Sequence, residues 1–222
     1  MEQPLSVAMR SATAAAHADA EGSAFISELM RGERDAEAFL LLTVQLLFIY
    51  GALEETLRAN YETHPLVASL DDRRLDRTAA LESDLTSLCP GYEARIADGT
   101  LPVVPATRRY AELLATSHTP ERVLANHYVR YLGDLSGGQA IAALVKRHYD
   151  VDEEALSFYR FEGIDKLKVF KDEYRARLDA LHVDDVTRAR LVEAAVEAFG
   201  LNQAVFEDLD CLLRGAPEES AA

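Results

Sequence analysis

Between residues 119 and 149 the spacing of apolar side chains predicts one long helix, yet its middle carries three glycines, Gly133, Gly137 and Gly138. No other feature constrains the fold as tightly. A glycine inside a helix costs about 0.5–1 kcal/mol relative to alanine. Three together give up a few kcal/mol from a total stability of about 5–15 kcal/mol. Glycine also strips Cβ atoms from the helix surface, so the backbone can bend and a flat body can lie directly against it. The run reads Tyr128-Val-Arg-Tyr-Leu-Gly-Asp-Leu-Ser-Gly-Gly138, with a single carboxylate, Asp134, among the glycines. Two readings are open. A Gly-x-x-x-Gly spacing serves tight helix crossings, a use best described in membranes. A simple crossing has little use for a charge, and the other reading is a kinked helix built around a ligand.

Helical periodicity continues along nearly the whole chain, without a stretch of strand-like alternation. Helices are expected near residues 5–20, 23–31, 35–60, 71–87, 105–116, 119–149, 164–181 and 184–213. Gly32, His64-Pro65, Cys89-Pro90-Gly91, Asp98-Gly99 and Thr119-Pro120 punctuate them. Thr119-Pro120 is also a good helix start, with threonine at the cap and proline at the first helical position. No internal repeat and no flexible linker divides the chain. The expectation is one all-α domain over residues 1–214 and a disordered polar tail over 215–222.

The net charge of −15 argues against nucleic acid as a partner, because phosphate binding needs a basic surface. Two distant cysteines, Cys89 and Cys211, fit a reducing compartment without a disulfide framework. Neither lies in a Cys-x-x-Cys-His motif. The N-terminus lacks a secretory pattern. The most apolar run, from Phe39 to Ile49, is too short to span a bilayer and suits a central buried helix. A soluble, cytoplasmic chain is expected, with monomer as the default state and no membrane partner.

Of the histidines, His17 has the most suggestive surroundings. Its helix, Ser11-Ala-Thr-Ala-Ala-Ala-His-Ala-Asp-Ala20, leaves room beside the imidazole. Arg10 lies two turns earlier, about 10.5 Å along the axis, and Glu21 one turn later can orient the ring's other nitrogen. Small neighbours, a histidine and an arginine would suit a large planar metal cofactor. The alternative is an ordinary surface His–Glu pair. No His-x-x-x-His or Glu-x-x-His spacing occurs, so zinc-protease and di-iron carboxylate sites lack support. Positive charge gathers in Lys166, Lys168, Lys171, Arg175 and Arg177. Lys171 and Arg175 share a helix face and could grip carboxylates, or the cluster is a solvated face. In the last helix Asn202 interrupts an apolar stripe that includes Phe199 and Phe206, and a buried amide must find partners.

Together these segments resemble the haem oxygenase family. Tyr-Leu-Gly-Asp-Leu-Ser-Gly-Gly (131–138) is similar to that family's distal-helix signature, and Ser11–Glu21 to its proximal segment. Ile49-Tyr50-Gly51-Ala52-Leu53-Glu54-Glu55 resembles its second helix, and Phe199-Gly-Leu-Asn-Gln-Ala-Val-Phe206 its last. The matches run in order over almost the whole chain. Members bound to eukaryotic membranes carry a C-terminal apolar anchor; this chain looks like the soluble bacterial type.

The resemblance implies a helical bundle holding haem b, both substrate and cofactor, between a proximal and a kinked distal helix, with His17 on the iron. Arg10, Tyr128, Lys171 and Arg175 then occupy positions that meet the propionates. Arg10 stands where the family commonly has lysine, which alters the geometry of that contact. Gly138, Asn202 and Phe206 would line the pocket, and Glu21 would orient His17. Gly133 and Gly137 would pack close to the ring, and Asp134 would order waters that deliver a proton, within a network including Tyr50 and Arg130. The implied reaction uses dioxygen to open the ring at the α-meso carbon, giving biliverdin, carbon monoxide and ferrous iron. Electrons must come from a ferredoxin, flavodoxin or flavoprotein reductase, docking near Lys166, Lys168 and Arg177. The competing expectation is a haem carrier or storage protein of the same fold without turnover.

Overall fold

The computed structural model describes residues 3–117 and 119–215, and their regular structure is helical. Ten α-helices follow in order: α1 (Leu5–Glu21), α2 (Ala24–Arg31), α3 (Ala36–Tyr61), α4 (Pro65–Ala68), α5 (Thr78–Leu88), α6 (Tyr92–Ala97), α7 (Pro105–Ala115), α8 (Pro120–Tyr149), α9 (Leu167–Asp179) and α10 (Asp185–Arg214). Two 3₁₀ turns, Arg73–Leu75 and Glu153–Tyr159, join α4 to α5 and α8 to α9.

Local chemistry sets the ends of the long helices. Asp35 and Asp184 accept hydrogen bonds from Ala38 N (3.1 Å) and Thr187 N (2.8 Å), capping α3 and α10. Proline opens α4, α7 and α8, where its missing N–H costs nothing. Helix α2 stops at Gly32, which has φ of 73° and would bring a Cβ within 2.6 Å of the His148 ring. Only glycine satisfies both demands.

The core forms where α3 packs on α5, α7 and α8, and where α10 packs on α1, α2, α7 and α8. Helix α3 is long and apolar enough to cross a membrane by length and composition alone, yet most of that window is buried inside the protein. Phe39, Val44, Ile49, Tyr50, Leu53 and Leu57 anchor the core from this helix. Helix α8 remains α-helical without interruption through all three glycines.

The helix expected over 71–87 begins only at Thr78. Glu54, buried in α3, accepts from the backbone N–H groups of Arg77 and Thr78 (3.1 Å for the latter) and from Thr78 Oγ1 (2.6 Å). This cap comes from a different helix and leaves no local signature. Before it, Asp72 accepts from Arg74 N and sets the 3₁₀ turn. Helices α4 and α6 and the turn at Glu153–Tyr159 were not anticipated. All are short, and the last contains non-helical Ala155 and Leu156. Of the expected tail, residues 216–222 lie outside the described residues.

Candidate functional site

Helix α10 forms a floor linking α1 to α8. Its Phe199 ring meets His17 of α1 at 5.6 Å, and one turn later its Asn202 Oδ1 accepts a hydrogen bond from Arg130 of α8. Above this floor α8 shows a bare face. A Cβ at Gly133 or at Gly137 would find no heavy atom within 4 Å. The crossing expected from a Gly-x-x-x-Gly motif is therefore absent, because nothing packs on those two positions. Open space lies there instead.

On α1 the His17 side chain is 51% exposed, and its Nδ1 lies 3.4 Å from Glu21 Oε2. Glu21 thus stands beside one of the two ring nitrogens. The arrangement leaves Nε2 without a protein partner among the described residues. No group of three or more His, Cys, Asp or Glu side chains suitable for a metal occurs among them.

Beside the bare face, Tyr50, Asp134 and Arg130, with Asn202 of α10, form one chain of hydrogen bonds. Tyr50 of α3 donates to Asp134 Oδ2. Arg130 Nε donates to Tyr50 Oη at 3.2 Å, and its guanidinium lies 4.7 Å from the centre of the Tyr50 ring. Arg130 Nη1 donates to Asn202. Asn202 is thus both a core amide satisfied by a neighbouring helix and a member of the site. Burial pushes the Asp134 carboxyl above its ordinary range, against the opposing pull of Arg130 and the Tyr50 hydrogen bond. Burial likewise drives the Tyr50 phenol well up. For Arg130 burial disfavours the charge, but Tyr50 and Asp134 outweigh it and hold the guanidinium protonated. Two acids that resist ionisation flank one fixed cation, an arrangement suited to holding and passing a proton.

The residues expected at the propionates converge from α1, α8 and α9. Tyr128 is buried beneath Arg175 and Arg10; burial raises its phenol pKa and both cations oppose the rise. Lys171 Nζ reaches Ser136 Oγ of α8 at 3.2 Å, and Arg175 pairs with Asp172 at 3.2 Å. Phe206 stacks on Phe25 of α2, 6.1 Å between centres.

Gly138 departs from expectation. It does not share the open face of Gly133 and Gly137: a Cβ there would stand 3.1 Å from Cδ1 of Tyr159. It is one residue past Gly137, which turns it about 100° around the helix, into the packed side. The basic cluster on α9 is also more internally matched than its composition implied. Lys168 pairs with Asp172 at 3.1 Å, and Arg177 lies over the rings of Phe170 and Tyr174 at 5.9 Å each.

Sequence reasoning missed several buried groups around the site. His127 Nδ1 meets Tyr174 Oη at 2.8 Å, joining α8 to α9, while Tyr110 donates to Asn126 at 2.7 Å, joining α7 to α8. Arg77 and Asp84 are 5% and 1% exposed. Their partners are remote in sequence, so spacing carried no signal for them.

A family model described as "Heme oxygenase" matches residues 3–208. The chain is 36% identical to chicken heme oxygenase 1 over 227 residues, spanning all of this chain and 75% of that protein. It is 34% identical to heme oxygenase 1 of a Nostoc species, covering 95% of this chain and 87% of that one. Among solved structures, heme oxygenase-1 from Synechocystis in complex with heme superposes with a TM-score of 0.85 at 30% identity, covering 96% of this chain and 95% of that chain. The Leptospira interrogans heme oxygenase gives 0.82 at 30% identity, with 92% and 98% covered.

Proposed function

This chain belongs to the haem oxygenase family, and from that premise we propose that it opens haem at the α-meso carbon, holding the ring between His17 and the bare face of α8. It is an enzyme, with haem as substrate and cofactor and dioxygen as co-substrate; the carrier alternative does not stand. The products we assign are biliverdin, carbon monoxide and ferrous iron. The single observation that carries the site is the pairing of empty space over Gly133 and Gly137 with a hydrogen-bonded acid, Asp134, on the same helix.

The residues fit the group. A planar ring needs a surface without side chains, which Gly133 and Gly137 supply, and an iron needs a donor with a free lone pair, which Nε2 of His17 supplies when neutral. Haem, once bound, provides both the metal that activates dioxygen and the carbon that is oxidised.

The rest is work for the chain's own side chains. Glu21 at Nδ1 fixes the tautomer of His17, leaving Nε2 as the ligand atom. Arg10, Tyr128, Lys171 and Arg175 meet the propionates from three helices. Lys171 releases Ser136 and turns its ammonium to a carboxylate, a stronger partner than a hydroxyl. Asp134 holds a proton at its carboxyl and passes it through ordered water toward the open face, with Tyr50 and Arg130 orienting the carboxyl. Asn202 keeps Arg130 in place from the floor. Gly133 and Gly137 keep side-chain bulk off the face against which the ring would lie. Phe206 closes the apolar side with Phe25.

Electrons come from a separate redox partner, as the family requires. We assign a ferredoxin, flavodoxin or flavoprotein reductase, docking by charge near Lys166, Lys168 and Arg177, and a cytoplasmic, monomeric enzyme without nucleic-acid or membrane partners. The test is a hemin titration followed by ascorbate or a reductase under air. A 1:1 Soret band that gives way to biliverdin absorbance supports the reading. A Soret band that persists overturns the ring-opening assignment, and no band at all overturns the site.

A further inference from the structure

We propose that Tyr159 is a positioning residue for Asp134, forming with Phe158 a wedge that seals the inner side of the Tyr50–Asp134 pair. The proposal rests on the role given to Asp134 above. The wedge belongs to the 3₁₀ turn Glu153–Tyr159, which packs against α5 and α8. Tyr159 sits on Gly138, where a Cβ would stand 3.1 Å from its ring. Gly138 lies four residues after Asp134, one turn along the same helix face. Phe158 meets the Tyr50 ring edge-on at 5.3 Å, and the two wedge rings meet each other at 4.9 Å. One dipeptide therefore touches both the helix that carries the acid and the tyrosine that bonds to it.

The backbone of this dipeptide is held by an unusual concentration of buried polar groups. Asp84 accepts from Ser157 N and Phe158 N, each at 2.8 Å, and from Ser157 Oγ. Arg77 Nη1 donates to the carbonyls of Phe158 (3.1 Å) and Arg160 (2.7 Å). Gln139, next to Gly138, donates to the carbonyl of Tyr159 at 2.7 Å. Among the described residues Arg77 reaches no carboxylate through its guanidinium; it bonds backbone carbonyls and lies 4.1 Å over Phe161. Burying a charge costs several kcal/mol unless it is well bonded, and here two are committed to fixing one short turn. A loop needed only as a connection would not require them.

The wedge acts on the acid by keeping water from its inner side. The groups facing Asp134 are Tyr50 from α3, Arg130 from its own helix, Arg77 ahead of α5 and Tyr159 from the turn. Burial drives the Tyr159 phenol far above its ordinary range, and among charges Asp134 adds most to that rise. The phenol and the carboxylate therefore lie close enough for each to act on the other. With that side sealed, the proton at Asp134 exchanges through the open face of α8.

The test reads Asp134 directly in the haem-free protein. Aspartate side-chain carboxyl carbons are labelled with carbon-13, the Asp134 resonance is identified by its loss in Asp134→Asn, and its titration midpoint is measured. In Tyr159→Leu, water enters and the midpoint should fall by about half a unit or more toward the ordinary carboxylate value. Gly138→Ala, which presses a methyl against the ring, should move it the same way. Tyr159→Phe keeps the ring and should hold the midpoint. An unmoved midpoint in Tyr159→Leu overturns the proposal. Should that variant fail to fold, an unmoved midpoint in Gly138→Ala overturns it instead. No haem enters this measurement, so a failure of the haem reading leaves its outcome interpretable.

Discussion

The phenol of Tyr50 donates its hydrogen bond to Asp134, across the contact between the central helix α3 and the glycine-bearing helix α8. The donor is buried, and the acceptor is half-buried, directly after Gly133 on α8. The pair thus connects the dry core to the helix proposed to face the substrate, and Arg130 fixes the tyrosine oxygen from the other side at 3.2 Å. A carboxyl held this way can lose a proton to the open face and regain it without swinging away.

Asp134→Asn should therefore separate binding from turnover. The amide keeps the size of the side chain, so hemin affinity should stay within a few-fold. It cannot give up a proton as an acid, so biliverdin formation should fall by about 10²-fold or more, the usual scale of a positioned acid–base group. Spectral titration followed by single-turnover absorbance checks both halves. A variant that makes biliverdin at the original rate removes Asp134 from the mechanism.

The glycine face predicts an uncommon trade between stability and binding. A methyl at Gly133 or Gly137 meets no atom within 4 Å, so Gly137→Ala should stabilise the haem-free protein by about 0.5–1 kcal/mol through helix propensity alone. The same methyl occupies space assigned to the ring, so hemin affinity should drop by at least about tenfold. Chemical denaturation and hemin titration of one preparation decide it. Gly138→Ala should lower stability instead, since its methyl meets Tyr159 at 3.1 Å.

Arg130 is buried, and Asn202 of α10 is its partner at Nη1. In Asn202→Leu that donor loses its acceptor inside the protein, which should cost about 1–3 kcal/mol of stability. Biliverdin formation should fall as well, because Arg130 then no longer fixes Tyr50. Asn202→Asp, which retains the acceptor oxygen, should recover stability. Unfolding midpoints across the three proteins check the order.

The last helix shows what the sequence could and could not reveal. Its apolar stripe, interrupted by Asn202, was legible because the period of a helix is written in neighbouring residues. His17, Asp134 and the glycines were legible because their types are unusual for their surroundings. The cap that Glu54 supplies to α5 was not legible, nor was the hold of Asp84 and Arg77 on the turn at Glu153–Tyr159. Each joins residues 23 to 83 positions apart, and pairings at that distance leave no period. Gly138 was misplaced for a related reason: its type matched its neighbours, but the ring filling its space comes from another segment.

His127 gives the pH dependence its sign. Burial pushes its imidazole down to about 3, with Arg177 adding to the fall, so the folded protein keeps it neutral in contact with Tyr174. Unfolded, it would titrate near its ordinary value of about 6.5. Between those values the unfolded state binds the extra proton, so stability from this group is complete above about pH 6.5 and is lost as pH falls toward 3. From pH 7 to pH 5 the loss should be about 2 kcal/mol from this residue. Other groups titrate over the same interval, so the comparison is with His127→Gln, which can still bond Tyr174 but carries no such proton. Denaturation free energies at the two pH values should differ less in the variant by about that amount. An equal difference in both proteins would mean that His127 takes up its proton without opening the α8–α9 contact.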